Sequence, residues 1–186
     1  MNNKYSGTKA DFSPVREDAS RIIISYGLTK LSKDLYEWFE VHLYKKQRNA
    51  LTLADVKEAI LGDINAHTDE KILSGFVWTP EGGNAINVWL SNENQRNFSE
   101  AQRLADKKGE ENYTPKKFKI GEVEGSAKYR TFATLDELNN FYYAVCDYIE
   151  TCLGAGWIRK DTINFTPYQA AFPVPENNES ADAVEE

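Results

Sequence analysis

The sequence predicts a small α+β protein in which antiparallel hairpins, or one small sheet, pack on three or four helices. Segments with apolar residues at three-to-four spacing occur along the chain with short β-branched runs that flank Gly- and Pro-containing turns. With 186 residues, the chain favours one domain with a substantial core. We therefore expect a single domain over 21–157, an N-terminal arm over 1–20, and a C-terminal extension with an acidic tail over 158–186.

The first part of the chain predicts an extended arm followed by a helix. Residues 1–20 are interrupted by Gly7 and Pro14 and follow no apolar period. The run RIIISY, which ends at Gly27, fits a strand and the lead-in to a helix equally well. From Ser32 the spacing predicts an amphipathic helix, because apolar side chains recur every three or four positions. These residues are Leu31, Leu35, Trp38, Phe39, His42 and Leu43.

The middle of the chain predicts a helix, a hairpin and a second helix. Thr52 can cap the first of these helices together with Asp55, and the pattern fades near Asn65. The runs ILSGFVW and AINVWL flank TPEGGN, whose proline and glycines favour a hairpin turn. Ser91 then ends the second run and can cap the next helix, which Gly109 closes.

A second hairpin and a long helix follow. KFKIGEVE and KYRTF alternate in period two around GSA, which predicts two strands with basic side chains toward water. The segment TLDE is a capping box that starts a helix of about 20 residues, whose apolar stripe predicts the spine of the core. Gly154 and Gly156 are predicted to end this helix. The remaining residues are Pro-rich and then acidic, as is typical of a tail.

Charge, cysteine content and hydropathy argue against several classes of protein. The net charge is −7, and five acidic residues without a Lys or Arg follow from Glu176, so nucleic-acid binding is not favoured globally. Cys146 and Cys152 fall in one helical pattern and are expected to be free thiols. No window is long and apolar enough for a signal core or a membrane span. We expect a soluble protein that is made in the cytoplasm.

The residues that can carry chemistry form no complete catalytic or metal site. His67 follows Asp63 by four positions and lies near Glu70, but no further His or Cys pair completes a zinc site. The turn EGGN lacks the context of a phosphate-binding loop. We therefore expect no enzyme activity, no catalytic residue, no metal and no cofactor.

Two features favour binding. Lys117 and Lys119 flank Phe118, which is compatible with contact to nucleic acid, but their alternation with Phe118 favours a solubilising outer face. Aromatic residues make up 12% of the chain, and several lie outside any amphipathic period. Tyr and Trp are enriched at protein interfaces. We therefore expect the following aromatic residues to bind partner chains: Tyr5, Phe12, Trp78, Trp89, Trp157, Tyr168 and Phe172.

The segments GFVW with AINVWLSNENQRNF, ADKKGEENYTPKKFKIG, YRTFATLDELNNFYYAVCDYIETCL and GWIRKDTI together resemble a known family. It is a domain of unknown function found in phage tail-fibre-type proteins and in short phage or prophage proteins of gut bacteria. The likeness spans about 55–163, and KYSGTKADFSPVRE is similar to the leader of the short versions. This family has no assigned enzymatic residues, so the resemblance implies none in this sequence. The resemblance implies a virion protein that is synthesised in the host cytoplasm.

Together, these observations predict a structural or adaptor component of a phage virion, in the tail, the fibre or the head-fibre attachment. It would bind other virion proteins through its arm and tail and form a homo-oligomer, with no membrane contact. The alternative is a small phage regulatory or host-directed protein that contacts nucleic acid, through Lys117 and Lys119, or a host factor.

Overall fold

The computed structural model describes residues 3–44 and 51–172. It confirms the α+β class: the described residues form two antiparallel four-stranded sheets and four α-helices. The chain divides into two compact units, which differ from the arm, domain and extension that the sequence predicted. Unit 1 comprises Met1–Ile64 and Arg159–Glu186, and unit 2 comprises Asn65–Ile158. The basic stretch KKQR at 45–48 and the acidic tail lie outside the described residues.

In the described ranges, four strands come before the first α-helix and four come after it. The strands are β1 (Lys4–Gly7), β2 (Val15–Glu17), β3 (Arg21–Lys30), β4 (Tyr36–Tyr44), β5 (Phe76–Trp78), β6 (Ile86–Val88), β7 (Lys116–Val123) and β8 (Ser126–Phe132). The helices are α1 (Leu53–Leu73), α2 (Asn92–Lys108), α3 (Leu135–Asp161) and the short α4 (Thr166–Gln169). None of these helices has the length and apolarity needed to cross a membrane.

The sheet of unit 1 has the order β1-β4-β3-β2, and all its pairs are antiparallel. The segment predicted as an arm supplies both edge strands of this sheet, with Tyr5 opposite Trp38 and Val15 opposite Ile24. The ambiguous run RIIISY is part of strand β3. Short, non-periodic segments can therefore be ordered here, because a central β-hairpin offers them backbone partners.

The helix predicted from Ser32 is wrong, since this segment forms strand β4. Side chains alternate between the faces of a strand: Phe39, Val41 and Leu43 pack on the core of unit 1, whereas Glu40 lies on the opposite face and is nevertheless only 4% exposed. The buried Trp38, on the same face as Glu40, adds an apolar residue between those of the core face and so hides the period of two. The polar residues instead match the outer face of a helix, which is the pattern that the sequence presented.

Unit 1 has a core in which the sheet packs on helical residues. Thr52 and Asp55 form the predicted capping box of α1: the Thr52 amide donates to Asp55 Oδ2 at 2.8 Å, and the Asp55 amide donates to Thr52 Oγ1 at 3.3 Å. Helix α1 continues beyond the predicted end near Asn65. The buried cluster is made of Ile24, Tyr26, Leu53, Val56, Ile60, Ile64, Tyr168 and Phe172.

Unit 2 contains both predicted hairpins in one sheet, with the order β5-β6-β7-β8. The predicted caps are confirmed, since the Asn94 amide donates to Ser91 Oγ at 3.2 Å and the Glu137 amide donates to Thr134 Oγ1 at 3.2 Å. Strands β6 and β7 approach closely at Gly121, where a Cβ would lie 1.7 Å from the Asn87 carbonyl oxygen. The core cluster is Ile86, Val88, Leu90, Phe98, Ala105, Ile120, Phe132, Leu138, Phe141 and Val145.

The predicted end of the last long helix at Gly154 and Gly156 is wrong, because α3 continues to Asp161. Gly156 has a packing role instead: a Cβ at this position would lie 2.5 Å from Thr68 Oγ1 on α1. The glycine lets the two helices approach each other at this point. Cys146 and Cys152 on the same helix are free, as predicted.

Candidate functional site

A buried carboxylate joins three strands of the unit 1 sheet. Glu40 on β4 accepts hydrogen bonds at Oε1 from Trp38 Nε1 at 2.9 Å and from Ser25 Oγ at 3.4 Å. The Arg16 guanidinium on β2 donates to the same oxygen and forms an ion pair with it. A buried charge is tolerated when it is paired and hydrogen-bonded, so this network fixes the sheet. Its groups are mutually satisfied and give no sign of catalysis.

A second polar cluster lies where α1 meets the same sheet. The Tyr26 hydroxyl donates to Asp63 Oδ2 at 2.5 Å, and Asn3 Nδ2 lies 2.8 Å from both carboxylate oxygens of Asp63. Burial and the hydrogen bond to Asp63 raise the pKa of Tyr26 well above its ordinary value, while the charge of Arg159 acts in the opposite direction. Tyr26 is therefore a neutral donor at physiological pH.

Beside this cluster unit 1 contains a cavity of about 720 Å³, which we call the Arg159 cavity. Its size falls in the range of small-molecule sites. Strands β3 and β4, the end of α3 and the segment that leads into α4 all contribute walls. The residues that shape its charge and its apolar surface are Lys4, Phe12, Pro14, Tyr26, Glu37, Phe39, Arg159, Ile163 and Pro167.

Arg159 is the residue that sets the electrostatics of this cavity. Its guanidinium carbon lies 4.3 Å from the centroid of the Phe39 ring, a cation–π contact that holds the side chain. Its Nη2 is buried, and no hydrogen-bond partner for it occurs among the described residues. The other charged lining residues, Lys4 and Glu37, form an ion pair at 2.7 Å. Arg159 therefore leaves the lining with an excess positive charge.

The aromatic residues predicted as partner anchors in unit 1 pack on their own unit. Tyr5 stacks on Trp38 with ring centroids 6.5 Å apart, and Phe12 contacts the same ring edge-on at 6.0 Å. Tyr168 and Phe172 are only 3% and 4% exposed. Tyr168 also donates from its hydroxyl to the Ser25 carbonyl oxygen at 2.8 Å. The prediction that Tyr168 and Phe172 are surface anchors is corrected: in this structure they are core residues.

The three predicted anchors in unit 2 have different surroundings. Trp78 packs edge-on against Phe141 in the core, with centroids 4.9 Å apart. Trp89 is half-buried, and Lys119 Nζ lies 5.0 Å from its ring centroid. Trp157 is 58% exposed and lies next to Ile158, which is 65% exposed. Of these three, Trp157 alone presents most of its ring to solvent.

The two lysines of the nucleic-acid alternative lie on one face of the unit 2 sheet. Lys117 pairs with Thr131, and Lys119 pairs with Tyr129, so these four residues share the outer face. Lys117 Nζ lies 5.4 Å from the Tyr129 ring centroid, and this ring is 56% exposed. The predicted placement of both lysines opposite Phe118 and toward solvent is confirmed.

In the part of the chain that the structure describes, the carboxylates and histidines are not grouped as metal ligands. Within residues 3–44 and 51–172, no group of three or more His, Cys, Asp or Glu side chains is placed to hold a metal ion. Asp63, one of the residues considered for such a site, receives the hydrogen bonds of Tyr26 and Asn3.

Comparisons of this chain with protein-family models, with curated proteins and with solved structures give no match. The resemblance to the phage domain therefore stays a prediction. Sequence reasoning missed Glu40, Tyr26 and Arg159, the residues around which unit 1 builds its polar contacts. Glu40 could have been found as an acid inside the aromatic and β-branched run YEWFEVHLY. Arg159 has no comparable local pattern.

Proposed function

We propose that this protein is a structural or adaptor component of a phage particle that works by binding other proteins. The phage context rests on the sequence resemblance alone. The observation that carries the mode of action is the exposure of Trp157 and Ile158 on α3. Exposed large apolar side chains that adjoin one another mark interaction surfaces more than scattered ones do, and Trp is enriched among the residues that dominate binding energy.

The spacing on α3 gives this surface a defined shape. Gly154, Trp157 and Ile158 occupy positions i, i+3 and i+4 and so lie on one side of the helix. Apart from its chain neighbours and the backbone of its own helix, no atom lies within 4 Å of the place where a Cβ on Gly154 would be, so a partner can approach the backbone beside the Trp157 ring. We call these three residues the Trp157 surface.

The proposed contact lies on the helix and not on the arm and tail. The arm residues Tyr5 and Phe12 and the tail residues Tyr168 and Phe172 serve the packing of unit 1. Trp157 retains the partner role that the sequence predicted for it. Partners are other virion proteins, and a homo-oligomer with closed symmetry is part of the proposal. No catalytic step or cofactor is needed for this function.

The test is the abundance of the protein in purified particles, measured by mass spectrometry. We expect the unaltered chain to co-purify with particles and a Trp157→Ala, Ile158→Ala variant to be depleted by about 30-fold, because truncating a dominant interface residue costs about 2 kcal/mol or more. Tyr143→Ala is the matched control, since Tyr143 is 55% exposed on the same helix. Absence of the unaltered chain from particles would contradict the phage role. Full retention of the double variant would contradict the Trp157 surface.

A second candidate function is contact with single-stranded nucleic acid through the outer face of the unit 2 sheet. Lys117, Lys119 and the exposed Tyr129 ring favour it, because such proteins combine cations for the backbone with aromatic rings for the bases. We expect Lys117→Ala with Lys119→Ala to abolish a salt-dependent mobility shift of single-stranded DNA. Lys107→Ala with Lys108→Ala, on the exposed end of α2, is the control. If both double variants retain the mobility shift, this face is not the nucleic-acid-binding surface.

A further inference from the structure

We propose that the Arg159 cavity of unit 1 binds a small organic anion, with a carboxylate or a phosphate on an apolar body. This is a ligand site in addition to the protein contacts proposed above, and it uses different residues. Two independent observations carry it: a cavity of about 720 Å³ and a buried guanidinium nitrogen that has no hydrogen-bond partner among the described residues.

The Arg159 guanidinium carries a buried donor that requires an acceptor. Buried polar groups in proteins are nearly always hydrogen-bonded, and an unsatisfied charged donor is costly. Arg159 Nη2 is such a donor, and the Arg159 side chain lines a cavity wide enough for a ligand. A carboxylate or phosphate oxygen would supply the missing acceptor, and both groups match the planar donor set of a guanidinium.

The same guanidinium is pre-organised for binding. It lies over the Phe39 ring at 4.3 Å, so the Arg159 side chain is held in place before any ligand arrives. A residue that is already ordered loses less conformational entropy on binding.

The net charge of the cavity lining favours an anion over a cation. Lys4 and Glu37 neutralise each other through their ion pair at 2.7 Å, and Asp63, which accepts the hydrogen bond of Tyr26, is not among the residues that line the cavity. The positive charge of Arg159 thus has no matching negative charge on the cavity wall. An anion restores neutrality there, whereas a cation would face the guanidinium directly.

The remaining walls of the cavity suit an apolar body. Phe12, Pro14, Ile163 and Pro167 supply its apolar surface. Small-molecule sites generally combine such walls with a few polar groups that fix orientation. The anion is therefore carried by an apolar ring or chain, which the walls cover while the charged end contacts Arg159.

The test uses the full chain and three probes that share a ring: benzoate, phenyl phosphate and neutral benzyl alcohol. Isothermal titration calorimetry should show saturable millimolar binding of benzoate, of phenyl phosphate or of both, and the pattern identifies the preferred anion. Benzyl alcohol should bind at least about ten-fold more weakly, because it lacks the charge-assisted hydrogen bond. Equal binding of all three probes, or binding of none, would overturn the proposal.

Two variants locate the site. Arg159→Met keeps the apolar stem over Phe39 but removes the charge, and it should weaken anion binding by about 10- to 100-fold. Arg96→Met is the matched control, because Arg96 is exposed on α2. Unchanged binding by Arg159→Met, or equal loss in the control, would refute the assignment.

A measurement on the unaltered protein keeps the proposal falsifiable if Arg159→Met does not fold. The Nε–Hε resonance of Arg159 reports directly on the guanidinium in nuclear magnetic resonance spectra. It should shift progressively as benzoate or phenyl phosphate is added and stay in place with benzyl alcohol. If calorimetry shows binding while this resonance does not move, the anion binds elsewhere and the proposal is wrong.

Discussion

Tyr168 gives the sharpest test of the distinction between a core aromatic residue and a surface anchor. Its ring is 3% exposed, and its hydroxyl bonds to the Ser25 carbonyl across 143 positions of sequence. Tyr168→Phe removes one buried donor and leaves that carbonyl without it, so we expect a loss of about 1–3 kcal/mol in the free energy of unfolding. Tyr168→Ala also removes the ring, and the expected loss is about 3–5 kcal/mol.

The assay is urea denaturation combined with amide hydrogen exchange at Ile24 and Ser25 on β3, which reports on the sheet that Tyr168 covers. Tyr143→Ala serves as the control, because an exposed tyrosine should change stability by no more than about 0.5 kcal/mol. If Tyr168→Ala unfolds with the same free energy as the unaltered chain, Tyr168 is not a core residue. The surface-anchor interpretation would then be the better one.

Three further predictions concern packing, buried charge and pH. Gly121→Ala should destabilise the chain strongly, because its Cβ would lie 1.7 Å from a backbone oxygen. Gly62→Ala should instead increase the free energy of unfolding by about 0.5–1 kcal/mol, because the position lies in α1 with open space around it. Thermal denaturation of both variants tests this contrast. Glu40→Leu should cost at least about 1–3 kcal/mol because Trp38 Nε1, Ser25 Oγ and the Arg16 guanidinium lose their acceptor, and Glu40→Gln should cost less, as measured by urea denaturation. Burial raises the pKa of Tyr168 to about 12. Since an unfolded tyrosine loses its proton near pH ~10, the contribution of Tyr168 to stability should fall by about 2–3 kcal/mol between about pH 10 and 12, and the total fall should be smaller by that amount in Tyr168→Phe.

Helix starts and hairpins could be predicted because their causes are local. The capping box of Thr52 and Asp55 is complete within four residues, and the Ser91 cap acts on Asn94. The turn between β5 and β6 needs the conformations that its own proline and glycines supply. Caps and turns depend only on residues that are close in sequence, so they can be recognised from the sequence alone.

Strand β4 was wrongly predicted to be a helix because the burial of its second face has a distant cause. Glu40 is buried because Arg16 on another strand neutralises it, 24 positions away, and because Trp38 and Ser25 donate to it. Without these partners a carboxylate belongs on an outer face, and the helical interpretation follows. The position of Arg159 over Phe39 is a second long-range contact that no spacing rule gives.

The division of the aromatic residues into buried and exposed ones also has a distant cause. Tyr168 and Trp157 both sit in the last part of the chain, and the sequence offered no way to tell them apart. Tyr168 has a core cluster and a carbonyl acceptor in unit 1, whereas Trp157 remains 58% exposed. Burial of a non-periodic ring depends on whether its own unit offers a hydrophobic surface and a polar partner. An exposed ring without that cover is the stronger candidate for an interface.

Assembly and anion binding can be separated by experiment although their central residues are two positions apart on α3. Successive residues of a helix point in directions about 100° apart, so Trp157 can face solvent while Arg159 contacts Phe39. A loss of particle association in Trp157→Ala with unchanged benzoate or phenyl phosphate binding would assign the exposed ring to assembly alone. Loss of benzoate or phenyl phosphate binding in Arg159→Met, with unchanged particle association, would assign the guanidinium to anion binding alone. Loss of both properties in either variant would mean that one structural change disturbs the whole end of the helix, and neither residue could then be given a separate role.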